Sequence, residues 1–228
     1  MPSQTTRGHQ FLKKNFGETA IPRGTWQIDP FGHSNTEAWL LGAEAGFESL
    51  FWGRTDYQDM QLRTSPAGQA NNQWPEWVWQ GSQSLGKSAE LFAGELTTGG
   101  YGAPIGWDQD GGAVQDNPSR HDYNLDEVMD SFIASAVGLQ NKTKLNHQMW
   151  PCGSDFQYQN ADHWFHNLDK LIHYVNVNAS NGGPVVAFYS TPSHYTDAKF
   201  LATQKAQVKW EVRQDDIFPL GDAAHHYW

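Results

Sequence analysis

Apolar positions along the chain change period several times, and the changes mark the elements. Gly24 to Ile28 reads as a short strand. Asp29-Pro30-Phe31-Gly32-His33 follows as a turn, punctuated by proline and glycine. Ser34-Asn35-Thr36-Glu37 has capping-box spacing, so a helix is predicted from there to about Ala45, ended by Gly46. Glu48 to Trp52 resumes as a strand, and Trp77 to Gln80 reads as another. Ser65 to Asn72 is polar and turn-rich and is predicted to be a loop. Gly94 to Asn117, rich in Gly and Asp, is predicted to be a long one.

Further along, two stretches follow the helical period. Leu125, Val128, Met129, Phe132, Ile133 and Ala136 share one face. Trp164, Leu168, Leu171, Ile172 and Val175 share another. Gln148 to Cys152 is a strand candidate leading into Gly153-Ser154-Asp155. Val185 to Tyr189 has the continuous apolar character of a buried strand. A helix is predicted from Ser193 to Lys205, then a strand from Val208 to Arg213. Strands alternating with helices indicate an α/β fold, either part of a barrel or an open parallel sheet. Chemistry in such folds collects at the carboxyl ends of the strands, where Asp29 and Asp155 fall in this reading.

Composition narrows the function classes. The 228 residues carry 25 acids against 15 Lys plus Arg, a net charge of −10. A phosphate-binding surface wants the opposite sign, so nucleic acid is not expected as a partner. No apolar run approaches the length that spans a bilayer, and the first twenty residues hold no signal-type core. The single cysteine, Cys152, cannot form a disulfide within the chain. Aromatics reach 14%, with 11 Trp. They serve either as core side chains or as sugar-stacking platforms.

Two carboxylates at strand ends suit glycoside hydrolysis, one as nucleophile and one as acid/base, with a separation of ~5–5.5 Å in retaining enzymes. Ordered blocks point the same way. Trp26-Gln27-Ile28-Asp29-Pro30-Phe31-Gly32-His33-Ser34 closely resembles a signature of glycoside hydrolase family 38, the class II α-mannosidases. Phe51-Trp52-Gly53-Arg54-Thr55-Asp56-Tyr57-Gln58-Asp59 resembles the next block in the lysosomal branch. So do Gly153 to Ala161, Trp164 to Ile172, Tyr189-Ser190-Thr191-Pro192 and Asp215-Asp216-Ile217-Phe218-Pro219, in order. The resemblance runs from about Gly8 to Trp228.

The resemblance implies the central part of a seven-stranded parallel β/α barrel, with residues 1–228 forming one partial domain. It implies a retaining, exo-acting α-mannosidase module that hydrolyses terminal α-linked mannose of glycoprotein-type oligosaccharides. Asp29 corresponds to the nucleophile and to a zinc ligand, and Asp155 to the acid/base. Phe31, Arg54 and Tyr101 correspond to substrate-site residues. Zinc is the implied cofactor, yet the family's upstream His-x-Asp and downstream His-Asp segments are absent from these residues. The chain is therefore expected to be a central piece of the catalytic domain, with the rest of the α-mannosidase polypeptide as partner. The implied compartment is a lysosome, a vacuole or the secretory route. The alternative is a truncated, inactive sugar-binding or decoy protein.

Other candidate groups weigh less. His163 and His166 have i, i+3 spacing but flank the packed face of a helix, and the family has no ligands there. His225-His226 is a similar pair, and His194 falls at a strand end without an assigned role. His33 is expected to orient the turn or cap the helix. Cys152 reads as a small buried residue, since no base partner is indicated. Asn141-Lys142-Thr143 and Asn178-Ala179-Ser180 are glycan acceptor tripeptides if the chain enters the secretory route.

Overall fold

A computed structural model describes residues 2–96 and 112–227. The chain divides into two compact units: Met1–Thr97 with Lys142–Met149 and Thr191–Trp228, and Thr98–Asn141 with Trp150–Ser190.

The first unit opens with helix α1 (Pro2–Phe16). Among its described side chains, Thr5, His9 and Leu12 are half-buried, an i, i+4, i+7 stripe, and the His9 ring meets Phe47 at 5.1 Å. Its five-stranded sheet comprises β1 (Gly24–Gln27), β2 (Ser49–Trp52), β3 (Glu76–Gln80), β4 (Glu90–Glu95) and β5 (Val212–Arg213), in spatial order β1-β2-β4-β3-β5. β1, β2 and β4 run parallel, β3 is antiparallel to β4, and β5 is parallel to β3. Gln27, Trp52 and Glu95 are in register, so one row closes the carboxyl ends of the three parallel strands. The architecture is mixed α/β with a mostly parallel sheet.

Tryptophan builds the core of this unit. Trp52, Trp77 and Trp79 are fully buried, and Trp52 meets the other two edge-on at 5.4 and 5.7 Å. Leu50, Leu91, Ala93 and Ile217 fill the space around them. Helix α7 (Pro192–Ala206) covers β1 and β2, and the Thr191 hydroxyl caps it by accepting from His194 N. Its Lys199 is buried and pairs with Glu76 on β3 at 2.8 Å.

Helix α2 (Asn35–Trp39) starts at the predicted cap, where Ser34 Oγ accepts from Thr36 N at 3.1 Å. The reciprocal half of the box is not made, because Glu37 Oε1 is buried without a partner. The helix continues as a π turn over Leu40–Glu44, and Gly46 ends it at φ +77°. Ser34→Ala is expected to cost about 1 kcal/mol. Urea unfolding measures it, and a change below a few tenths would show that the cap carries no stability.

Three expectations for this unit need correction. Ser65 to Asn72 contains helix α4 (Pro66–Ala70), which follows α3 (Tyr57–Arg63). Ser-Pro serves equally as a turn signal and as a helix start, and Ser65 Oγ accepts from Gly68 N at 3.1 Å. Gly94 and Glu95 belong to β4 rather than to the predicted loop, because β2 and β3 flank that segment on both sides. Of Val208 to Arg213, only Val212 and Arg213 join the sheet. The unit closes with a hairpin of β6 (Gly221–Ala223) and β7 (His226–Tyr227).

The second unit holds α5 (Leu125–Gln140) and α6 (Ala161–Ser180), matching the two periodic stretches. No strand occurs among its described residues. Gln148 to Cys152, which straddles the two units, and Val185 to Tyr189 are therefore not strands, contrary to expectation. A strand needs a neighbour to accept and donate its ladder bonds. Here Asn176 on α6 substitutes for one: its side chain donates to Ala187 O at 2.8 Å and accepts from Ala187 N at 2.9 Å. Val186 and Phe188 are each 69% exposed rather than buried.

Candidate active site

The turn after β1 carries the first candidate carboxylate. Asp29 lies two residues beyond Gln27, and Arg54 lies two residues beyond Trp52 on the adjacent parallel strand. The equal offset brings both side chains to one edge of the sheet. Arg54 Nε donates to Asp29 Oδ1 in an ion pair. The Arg54 guanidinium also lies 4.5 Å from the centroid of the Phe31 ring. Asp29, Phe31 and Arg54 thus form a contiguous group, each partly open to solvent. The Arg54 bond engages Asp29 Oδ1, and the Asp29 side chain is 45% exposed.

Residues from the far end of the sequence hold this turn. Gly32 sits at φ +113°, and a Cβ there would fall 2.1 Å from Phe218 Cε1, so only glycine fits beneath the ring. His33 exchanges backbone hydrogen bonds with Ile217, at 3.1 and 2.8 Å. The carboxylate of Asp216 accepts from Asn35 N at 2.6 Å, and Gln214 O accepts from Asn35 Nδ2 at 2.7 Å. The His33 ring is fully buried, 5.1 Å from Trp52. Burial lowers its pKa to about 4, partly offset by the Arg54 backbone, so the ring is neutral across the physiological range. It packs the turn onto the core. Sequence reading gave no role to Gln214, Asp216 or Phe218. The block Asp215 to Pro219 was visible only as a resemblance.

Asp155 belongs to the second unit, at the exposed start of a tight turn before α6. Phe156 and Tyr158 adopt left-handed φ values of +60° and +62°, which bulky side chains rarely do. Tyr158 fastens the turn: its hydroxyl donates to Cys152 O at 2.5 Å and its ring stacks on Trp164 at 4.8 Å. Burial pushes the Cys152 thiol pKa up, which keeps it protonated and unreactive. Tyr101 lies outside the described residues.

Zinc needs three or four protein ligands. Among the described residues, no three His, Cys, Asp or Glu side chains converge as a metal site, so these residues do not complete one. Asp29 offers a single oxygen donor. His163 and His166 lie on α6, where the His163 ring approaches the Asn167 amide at 3.4 Å.

The sequence model described as the glycosyl hydrolases family 38 N-terminal domain matches residues 1–220. A probable alpha-mannosidase of Arabidopsis thaliana is 45% identical over 232 residues, covering 100% of this chain and 21% of the relative. An alpha-mannosidase of Canavalia ensiformis is 43% identical, again over 100% of this chain and 22% of the relative. The lysosomal alpha-mannosidase of Homo sapiens is 41% identical over 231 residues, covering 99% of this chain and 22% of the relative. The chain spans about a fifth of the length of the curated relatives it matches.

Proposed function

The chain belongs to glycosyl hydrolase family 38, and from that premise we propose that it forms part of the catalytic barrel of a retaining, exo-acting α-mannosidase. The substrate is terminal α-linked mannose of a glycoprotein-type oligosaccharide, and the compartment is a lysosome or vacuole. The remainder of an α-mannosidase polypeptide is the partner, and in the complete catalytic domain Asp29 would be one ligand of a zinc ion. The observation that carries this reading is the Asp29, Arg54 and Phe31 group at the carboxyl ends of parallel strands.

In this reading, Asp29 Oδ2 attacks the anomeric carbon while Oδ1 stays on Arg54. The guanidinium favours the anionic nucleophile and fixes its orientation. Phe31 forms an apolar wall for the sugar. Asp155 donates its proton to the departing glycosidic oxygen. It then takes a proton from the water that displaces Asp29 from the anomeric carbon, which restores both carboxyl groups and retains configuration.

An aryl α-mannoside, given with zinc to the complete α-mannosidase polypeptide that contains this chain, tests the reading, and the chain alone is expected to show little or no turnover. Asp29→Asn is expected to lower turnover by at least about 10³-fold. A slow-reacting fluorinated mannosyl donor should leave its sugar covalently on the peptide that contains Asp29. Turnover untouched by Asp29→Asn would sink the nucleophile assignment. A second reading, a sugar-binding protein without turnover, draws on the absence of a complete metal site among the described residues. Mannoside binding without hydrolysis or labelling would favour it.

A further inference from the structure

Glu95 closes β4 in register with Trp52 and is 9% exposed. Its Oε2 is buried and accepts no hydrogen bond. The side chain lines a small cavity, with room for about one water, shared with Phe51, Glu76, Leu96, Thr143, Met149 and Tyr195. Arg63, Glu76 and Lys199, the other charged residues buried among those described in this unit, are paired. Arg63 binds Asp59 and Glu211, and Lys199 binds Glu76. Glu95 has no ion-pair partner among the described residues.

The groups around it leave that charge uncompensated. On α3, Arg63 draws the carboxyl toward ionisation and Asp59 draws it the other way. The hydrogen bonds of Arg63 go to Asp59, Trp74 O and Glu211, and none goes to Glu95. On β5, Arg213 is held by Asp59 and Asp215. On β3, Glu76 is engaged by Lys199 and by the Tyr195 hydroxyl, both from α7. The Thr55 hydroxyl gives Glu95 limited relief. A carboxylate so placed is far costlier to bury in ionised form than as a neutral acid.

We propose that Glu95 is a buried proton-binding site, which the folded chain holds as a neutral carboxylic acid at and below neutral pH, so that this edge of the sheet is firmest in an acidic medium. Burial, the largest cause, pushes the Glu95 pKa up to about 8 from an ordinary 4.5. Between those values the unfolded chain has lost the proton and the folded chain has kept it, so stability falls as pH rises. His33 opposes this from about 4 to 6.5, where the unfolded chain binds its proton and the folded chain does not. The two slopes oppose each other up to about pH 6.5, and above it His33 no longer offsets Glu95.

Urea unfolding followed by tryptophan fluorescence should therefore show the unfolding constant of the wild type rising about tenfold between pH 6.5 and 8. Glu95→Gln should flatten that rise. Infrared spectra of the wild type at pH 7 should show a protonated-carboxyl C=O band that Glu95→Gln, or Glu95→Met if the glutamine variant does not fold, removes. Equal pH dependence in wild type and Glu95→Gln would overturn the proposal, as would absence of a band that depends on Glu95. Neither readout involves a mannoside, so failure here leaves the proposed function standing, and the converse holds.

Discussion

Lys199→Met is expected to destabilise the first unit by roughly 3–5 kcal/mol, the cost of removing one partner from a buried ion pair. Lys199 is 1% exposed, and its Nζ donates to Glu76 Oε2 at 2.8 Å and to Lys144 O. Without it, Glu76 keeps only the Tyr195 hydroxyl, at 2.5 Å, inside the unit. The loss compares with a total stability of about 5–15 kcal/mol for a typical protein, so the variant should be close to unfolding at 37 °C. The pair Lys199→Met with Glu76→Leu should recover much of the loss, because it removes both charges from a site that desolvates them. Urea midpoints of the two variants decide the matter. A single-variant loss below about 1 kcal/mol would mean that water reaches the pair.

Gly32→Ala should damage the candidate site although its side chain takes no part in the chemistry. The residue adopts φ +113°, and the added methyl would strike the Phe218 ring. The backbone contribution alone is about 1–3 kcal/mol. Phe218 is 53% exposed and can swing away, but it then uncovers the turn that presents Asp29. Slow covalent labelling of Asp29 is the expected consequence. Phe218→Ala combined with Gly32→Ala removes the collision and leaves the backbone cost, so it should restore labelling only in part. Full restoration would show that the clash, rather than the conformation, is what the glycine avoids.

Much of this structure follows from local pattern, and the departures share a cause. The strand, turn, cap and helix from Gly24 to Gly46 are set by residues adjacent in sequence, and so are the periodic faces of α5 and α6. β4 escaped notice because its alternation is interrupted by Gly94 and ends in Glu95. Its identity as a strand depends on β2 and β3 lying to either side. Val185 to Tyr189 shows the reverse, an apolar run of strand composition that the described residues leave without a sheet. At the site, Asp29, Phe31 and Arg54 were recognisable from ordered blocks. The fastening by Gln214 to Phe218 was not, because no periodicity connects residues so far apart. Glu95 read as one acid among 25 until its burial and missing partner set it apart.

The hydrogen bond from Asn35 N to Asp216 spans 181 positions. A ribosome delivers the Asp29 turn well before the residues that fasten it. At about 5–20 residues per second, the nascent chain waits on the order of ten seconds or more between the two. Through that interval Gly32 has no ring above it and His33 no strand to pair with. β1, β2 and their helices can settle first, since their contacts are near in sequence. The turn that presents Asp29 is thus completed only once Asp216 has been made, and a chain cut short before Asp216 would fold its sheet around an unfinished site.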